Sequence, residues 1–504
     1  MSGGHLEVEA KYDVVDGFVL PDLSGVPGVA TVDEPVEHLL EAVYFDTADL
    51  RLLRARVTLR RRTGGADAGW HLKLPAGAAR RELHAPLGRS VKKPPRSLLD
   101  PVAGVLRGEA PQPVATLRTR RVVTSLRGPD GDLLAEVADD TVTATVPPPG
   151  PGEPIEVRGW REVEIELGSG DDGLATAVGE RLAEAGARPS VAASKVGRVL
   201  GDRLATLSSG ARGGTSEMAG EFLLGALADQ VAALQAADVL LRTAQPDAVH
   251  QIRVGARRLR STLAAFRTVL DRAVTEPVRD ELSWLGGQLA DARDDEVALE
   301  HLRALVAAEP VELVLGPVAA RLQQSQVREL EAGSDRALLT LSEQRYLRLL
   351  DALHDLLADP PFTGRAAGPL RPVLHKATAR SVRKLRRRLA AVRRAPEEDR
   401  AVALHDVRKA AKQLRYAAEV GRGELAHMKR VADAGKRTQQ VLGELQDTVV
   451  TRELCRRLGV VAAAAGENSF TYGRLHALEQ ARAERAEREF WALVPEVRAV
   501  LNAG

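Results

Sequence analysis

The 504-residue chain is 44% hydrophobic and 28% charged with a net charge of +2, as expected of a globular protein of two or more domains. Its single cysteine, Cys455, excludes an internal disulfide and predicts a reducing, cytoplasmic setting. No apolar run of signal-peptide length opens the chain, and no stretch reaches the ~20 apolar residues of a membrane span, so no membrane partner is expected.

The charge is unevenly spread. Residues 1–200 hold 25 of the 71 Lys+Arg and 29 of the 69 Asp+Glu, a balance of −4, which leaves +6 for the remainder. In chain order, the first part reads as short alternating segments: LEVEAKYDV, RVTLRRRT, WHLKL, TLRTRRVV, LLAEVADDTV and WREVEIEL. Turn signals such as VPPPGPGEP at 146–154 separate them, which predicts an antiparallel sheet or barrel with a few helices, such as 173–186. SSGARGGTS, 208–216, reads as a linker, after which long Ala-, Leu-, Arg- and Glu-rich helical periods begin. The predicted divisions are a strand-rich domain at 3–205, a linker at 206–216 and a helical domain at 217–504.

The strands carry an unusual polar face. Period two places Glu7, Glu9 and Lys11 together, then Arg60 and Arg62, then Glu136 and Asp140, then Glu162, Glu164 and Glu166. Lys73, Arg118 and Arg120, and Lys195 add cations, while His71 is assigned to the face opposite Lys73. A solvated face would mix polar types; these faces are nearly pure carboxylate or nearly pure cation. Closed into a barrel they would form a charged interior, which needs a charged guest because unpaired buried charges are costly. Carboxylates would hold Mg²⁺ or Mn²⁺, and Arg and Lys would hold phosphate oxygens.

Glu7-x-Glu9-x-Lys11 resembles the ExExK signature of the CYTH, or triphosphate tunnel metalloenzyme, family. YFDT at 44–47, LRRR, HLK at 71–73, the EVEIEL segment and Ser194–Lys195 follow in family order. The resemblance implies an eight-stranded antiparallel β-barrel tunnel that cleaves triphosphate compounds with a divalent metal. It implies Glu7, Glu9, Glu164 and Glu166 as metal ligands with Glu162 and Asp140 beside them, and Glu7, Glu9, Lys11 and Glu164 as the catalytic set. Lys11, Arg60, Arg62, Lys73, Arg120 and Lys195 would hold phosphates, with Arg118 or Arg121 as alternatives to Arg120. Arg81 and Glu82 are further candidates.

The helical part contains an internal repeat. HQIRVGARRLR from His250 and HDVRKAAKQLR from His405 both read H-x-x-R-x-x-x-[RK]-x-L-R, 155 residues apart, and LADARDDEV (289–297) matches LGELQDTVV (442–450) at 153. This predicts two duplicated four-helix units, at about 217–365 and 369–504. On a helix His250, Arg253, Arg257 and Arg260 fall in one stripe about 80° wide, and His405, Arg408, Lys412 and Arg415 repeat it. No i,i+4 acidic partners are expected to balance these stripes. Residues 371–394 hold no acid, and Arg380, Arg383, Lys384 and Arg387 extend the positive field.

This paired H-x-x-R pattern resembles the CHAD, or conserved histidine α-helical, domain, which implies a basic groove associated with inorganic polyphosphate. Arg293–Asp294 fits the family, but Gln446 replaces that arginine in the second copy, so no binding role is assigned to Arg293. At 3% aromatic content, the chain offers few stacking platforms for bases, so no specific nucleic acid is expected. The expected activity is metal-dependent hydrolysis of inorganic triphosphate or a related compound, with polyphosphate bound by the helices. The alternatives are a non-catalytic polyphosphate-binding protein, a thiamine triphosphatase or an adenylate cyclase on the same tunnel.

Overall fold

The computed structural model describes residues 5–7, 9–65, 67–77, 79–88, 92–148, 154–192, 194–208, 217–289, 291–421 and 423–502; the side chains of 5–7, 208, 291–297, 329–330 and 426 lie outside the description. Most of the linker predicted at 206–216 and the side chains of Glu7, Arg293 and Asp294 therefore fall outside it. The chain forms two compact units, Met1–Ser209 and Gly210–Gly504.

The first unit is built on β1 (His5–Glu7), β2 (Glu9–Val14), β3 (Thr31–Val32), β4 (Val36–Asp46), β5 (Thr58–Thr63), β6 (Gly69–Ala76), β7 (Ala79–Ala85), β8 (Gln112–Arg127), β9 (Leu133–Val146), β10 (Glu156–Leu167) and β11 (Arg188–Pro189). Short helices α1 (Arg51–Arg54), α2 (Arg96–Leu99) and α3 (Ala103–Leu106), then longer α4 (Asp172–Glu184) and α5 (Lys195–Ser208), complete it. The strands pair in the order β1-β7-β6-β5-β4-β8-β9-β10-β2-β11, with β3 beside β8. The expected closed eight-stranded barrel is thus corrected to an eleven-stranded antiparallel sheet. The two-residue strands β3 and β11 add to it, and no continuous ladder closes it among the described residues. β1 pairs with β7 and β2 with β10, so one N-terminal segment is pinned to strands near both ends of the order and curls the sheet around its charged face.

Both faces of the acidic strands are covered. Val137, Val163 and Ile165 are buried against Leu174, Val178 and Leu182 of α4, with Ala10 and Tyr12 packed alongside. Asp171 caps that helix, accepting from the Leu174 amide at 3.0 Å. Since successive side chains alternate, seating Val163 and Ile165 on α4 turns Glu162, Glu164 and Glu166 to the concave side. On that side α5 packs Val196, Val199 and Leu200 against Tyr44, Leu117, Val142 and Ala144.

The second unit is helical: α6 (Ala219–Arg242), α7 (Ala248–Ala265), α8 (Arg272–Gln288), α9 (Asp291–Ala308), α10 (Val318–Ser342), α11 (Gln344–Ala358), α12 (Leu370–Val392), α13 (Glu397–Glu419), α14 (Ala426–Ala464) and α15 (Phe470–Asn502). The repeated motifs lie on α7 and α13. The 39-residue α14 stands where the first copy has α8 and α9, which are interrupted just after Gly286 and Gly287. One core joins α6, α7, α8 and α11, and another joins α12, α13, α14 and α15. A third gathers Leu299 and Leu302 of α9, Leu322 of α10, Leu454 and Cys455 of α14, and Tyr472 and Leu475 of α15. The copies therefore interlock. By length and composition α6 could cross a membrane, contrary to the expected absence of such a stretch, but half of that window is buried inside the unit.

Candidate functional site

The concave face of the sheet has an acidic and a basic wall. On the acidic side Glu164 sits opposite Lys11, Glu166 opposite Glu9, and Glu162 opposite Asp140. On the basic side Arg60 sits opposite Tyr44 and His71, Arg62 opposite Gly69, and Lys73 opposite Thr58 and Glu82. Glu9, Lys11, Tyr44, Arg60, Arg62, Lys73, Arg80, Glu82, Arg121, Glu164, Glu166 and Lys195 line one shared cavity.

At the acidic wall Asp140, Glu162 and Glu164 are buried, and oxygens of the three lie within 4.8 Å of one another. The Lys195 ammonium sits among them, 2.9 Å from Asp140, 2.6 Å from Glu162 and 2.7 Å from Glu164. Arg121 donates to both Asp140 oxygens at 2.8 and 2.6 Å and also to Glu164, while Lys11 bridges Glu164 and Glu9. Burial alone would raise the Glu164 carboxyl, but Lys195, Lys11 and Arg121 hold it well below its usual range. The same carboxylates overcome the desolvation of Lys11, Arg121 and Lys195 and keep all three charged.

At the basic wall Glu82 is the organiser. It accepts from His71 at 2.6 Å and lies 3.8 Å from Lys73 and 3.9 Å from Arg60. Burial pushes its carboxyl up, but His71, Lys73 and Arg60 bring it down to about 2. His71, assigned to the opposite face, shares the inward face with Lys73, as a spacing of two requires, and its second nitrogen bonds the Asp67 carbonyl at 2.9 Å. Asp46 of the YFDT segment has a structural part: its carboxylate accepts from the amides of Thr47, Leu52 and Leu53 and closes the turn into α1.

Arg120 is the main correction. It points outward, paired with Glu37 at 2.7 Å, and Arg118 pairs with Glu41 in the same way. Leu117 and Thr119 are buried on the concave side, so the next residue of that parity, Arg121, enters the cavity. By the same parity Arg80 lines the cavity beside Glu82, and Arg81 does not. Arg80, Tyr44, Asp67 and Ser194 were missed in the sequence reading. For Arg80 the signal was its spacing of two from Glu82.

In the helical unit two adjoining cavities share Arg257 and Lys412. One, of about 750 Å³, is lined by Arg257, Arg260, Arg380, Arg383, Lys384, Arg387 and Lys412. The other, of about 390 Å³, brings His250, Arg253, Arg257, Arg408 and Lys412 together with His301 and Arg482. His301 and Arg482 have no counterpart in the repeated motif; the buried Glu479 accepts from His301 at 2.8 Å and from Arg482 at 3.4 Å. His405 bonds Gln446 at 3.1 Å and does not line either cavity. Arg415 does not either; it pairs with Glu419 at 2.6 Å, an i,i+4 acidic partner the stripe was expected to lack.

The electrostatics of the two units differ. Burial lowers Arg257, Arg260, Arg380 and Lys384, and neighbouring cations lower them further. Nη1 of Arg380 and Nε of Arg408 are buried without a hydrogen-bond partner among the described residues. In the tunnel, carboxylates raise Lys11, Arg121 and Lys195, whereas in the groove Arg257, Arg260, Arg380 and Lys384 are all lowered.

The chain thus joins a curled sheet with acidic and basic walls to a duplicated helical unit with a basic groove. Residues 5–195 match the CYTH domain and residues 225–456 the CHAD domain, and the chain belongs to the proteins that join the two. Two uncharacterized proteins of Mycobacterium tuberculosis are 39% identical to it over 503 residues, covering 97% of this chain and 95% of theirs. Among solved structures, PptA from Streptomyces chartreusis is similar at 24% identity, over 55% of this chain and 99% of that one, with a TM-score of 0.46. A CHAD domain from the plant Ricinus communis is similar at 25% identity, over 57% and 92%, with a TM-score of 0.43.

Proposed function

We propose that the tunnel hydrolyses inorganic triphosphate, or a closely related triphosphate, with Mg²⁺ or Mn²⁺, and that the helical groove binds polyphosphate. The observation carrying the first half is the buried Asp140–Glu162–Glu164 triad in one cavity with Arg60, Arg62 and Lys73. Hard oxygen ligands suit Mg²⁺ and Mn²⁺, and the triad fits such an ion once Lys195 is drawn off it. Glu7, Glu9 and Glu166 would complete the ligand set. The ion, when bound, would neutralise charge on the phosphoryl oxygens. Arg60, Arg62, Lys73 and Lys11 hold phosphate oxygens in fixed positions, which stabilises the charge that builds up on the departing group. Glu82 keeps Arg60 and Lys73 oriented.

In the groove, closely spaced cations lower one another and so favour an anion with charge spread along its length. Polyphosphate meets that need without base contacts, and a cytoplasmic setting suits both ligands. Phosphate release should be measured with inorganic triphosphate, ATP, thiamine triphosphate and long polyphosphate, with and without Mg²⁺ or Mn²⁺. Metal-dependent release, fastest from inorganic triphosphate and abolished by EDTA or by Glu7→Ala with Glu9→Ala, is expected. Release unaffected by EDTA would overturn the metal-dependent reading.

A further inference from the structure

We propose that Lys195 is an internal stand-in for the divalent cation: its ammonium occupies the carboxylate triad until a triphosphate draws it away, so metal is taken up together with triphosphate rather than before it. The inference rests on the metal-dependent triphosphate reading above and adds an order of binding to it.

The charges around the triad support this order. Asp140, Glu162 and Glu164 supply three negative charges, and Lys195, Lys11 and Arg121, all in contact with them, supply three positive ones; Glu9, beside Lys11, and Arg198, 3.9 Å from Glu162, add one charge of each sign. The set is neutral and buried. A divalent ion added to it alone would put two uncompensated charges in a poorly solvated site and meet the Lys195 ammonium at its own ligands. A triphosphate changes both terms. It brings enough negative charge to balance the ion, and its oxygens offer Lys195 new partners.

Lys195 is built for the exchange. It is the first residue of α5, whose start is held by the Ser194 hydroxyl, which accepts from the Gly197 amide at 3.0 Å. The ammonium rides on four methylenes, so it can swing from carboxylate to phosphate by side-chain rotation while the helix stays in place. Arg121 cannot do the same cheaply, because its planar fork is committed to both oxygens of Asp140. Of the two lysines here, Lys11 contacts only Glu164 of the triad, whereas Lys195 is centred on all three carboxylates.

The test is Mn²⁺ binding to the full-length protein, read by electron paramagnetic resonance and by thermal melting, with no turnover involved. The parent should bind Mn²⁺ weakly alone and much more tightly with imidotriphosphate, whose P–N–P bridges resist hydrolysis. Lys195→Met, which empties the triad, should bind Mn²⁺ without any phosphate at least about tenfold more tightly than the parent. Its melting temperature should also rise with Mn²⁺ more than the parent's does. Lys195→Arg, which keeps the charge, should behave as the parent. Should Lys195→Met fold only in the presence of Mn²⁺, that rescue reports the same occupancy. Equal Mn²⁺ affinity in the parent and Lys195→Met without phosphate, with the imidotriphosphate effect intact, would overturn this inference alone. Absence of Mn²⁺ binding in both proteins with imidotriphosphate present would overturn it together with the metal reading.

Discussion

Arg120 and Arg121 are adjacent in sequence and should respond oppositely to substitution. Arg121 contacts two carboxylates, Asp140 and Glu164, and its side chain is 16% exposed. Arg121→Ala leaves both with one fewer cation in a buried site, and breaking a pair of that kind costs about 3–5 kcal/mol. For a domain of this size each kcal/mol moves the melting temperature by about 2–4 °C, so a fall of at least about 6 °C is expected. Triphosphate hydrolysis should fall with it, because the triad loses a partner that orients it. Arg120 and Glu37 are 56% and 49% exposed, and such pairs contribute about 0–1 kcal/mol. Arg120→Ala should therefore stay within about 4 °C of the parent and keep its activity. Thermal melts and phosphate release on the two variants, side by side, decide the matter. Equal losses from both substitutions, or a larger loss from Arg120→Ala, would refute the assignment of strand parity.

In the helical unit, burial raises the Asp238 carboxyl to about 6 despite its partner Arg242. The unfolded chain releases that proton near the ordinary value of 3.8, so the folded state binds the extra proton and this group's contribution to stability falls as pH rises from about 4 to 6, by up to about 3 kcal/mol. Urea titrations from pH 4 to 8 should show that decline in the parent and a flatter profile in Asp238→Asn; identical profiles would count against it. In the groove, Arg253→Glu with Arg408→Glu should weaken polyphosphate binding far more than Arg118→Glu with Arg120→Glu, and the parent's affinity should fall as salt rises. Titration against polyphosphate and a charge-matched single-stranded DNA reads this out, and indifference to the groove reversals would reduce the groove to a generic basic surface.

Alternation along each strand was enough to show that carboxylates and cations segregate onto single faces, and the H-x-x-R repeat was enough to show the duplication. Both signals are local: side-chain direction follows from spacing, whichever neighbours the element later meets. The parity of the LRTRR run (117–121) on β8 was not readable, because arginines stand at both parities. It was decided by Leu117 packing against Val196 and Val199 of α5, a contact with a residue nearly 80 positions away. The curl of the sheet around the charged face was decided by distant pairings too, through β1 on β7 and β2 on β10. His301 and Arg482 reach the groove only because the third core joins α9 to α14 and α15, and Lys195 meets the triad only because α5 packs inside the sheet. Local pattern sets which way a side chain points; which charges finally meet depends on how apolar faces far apart in the chain find one another.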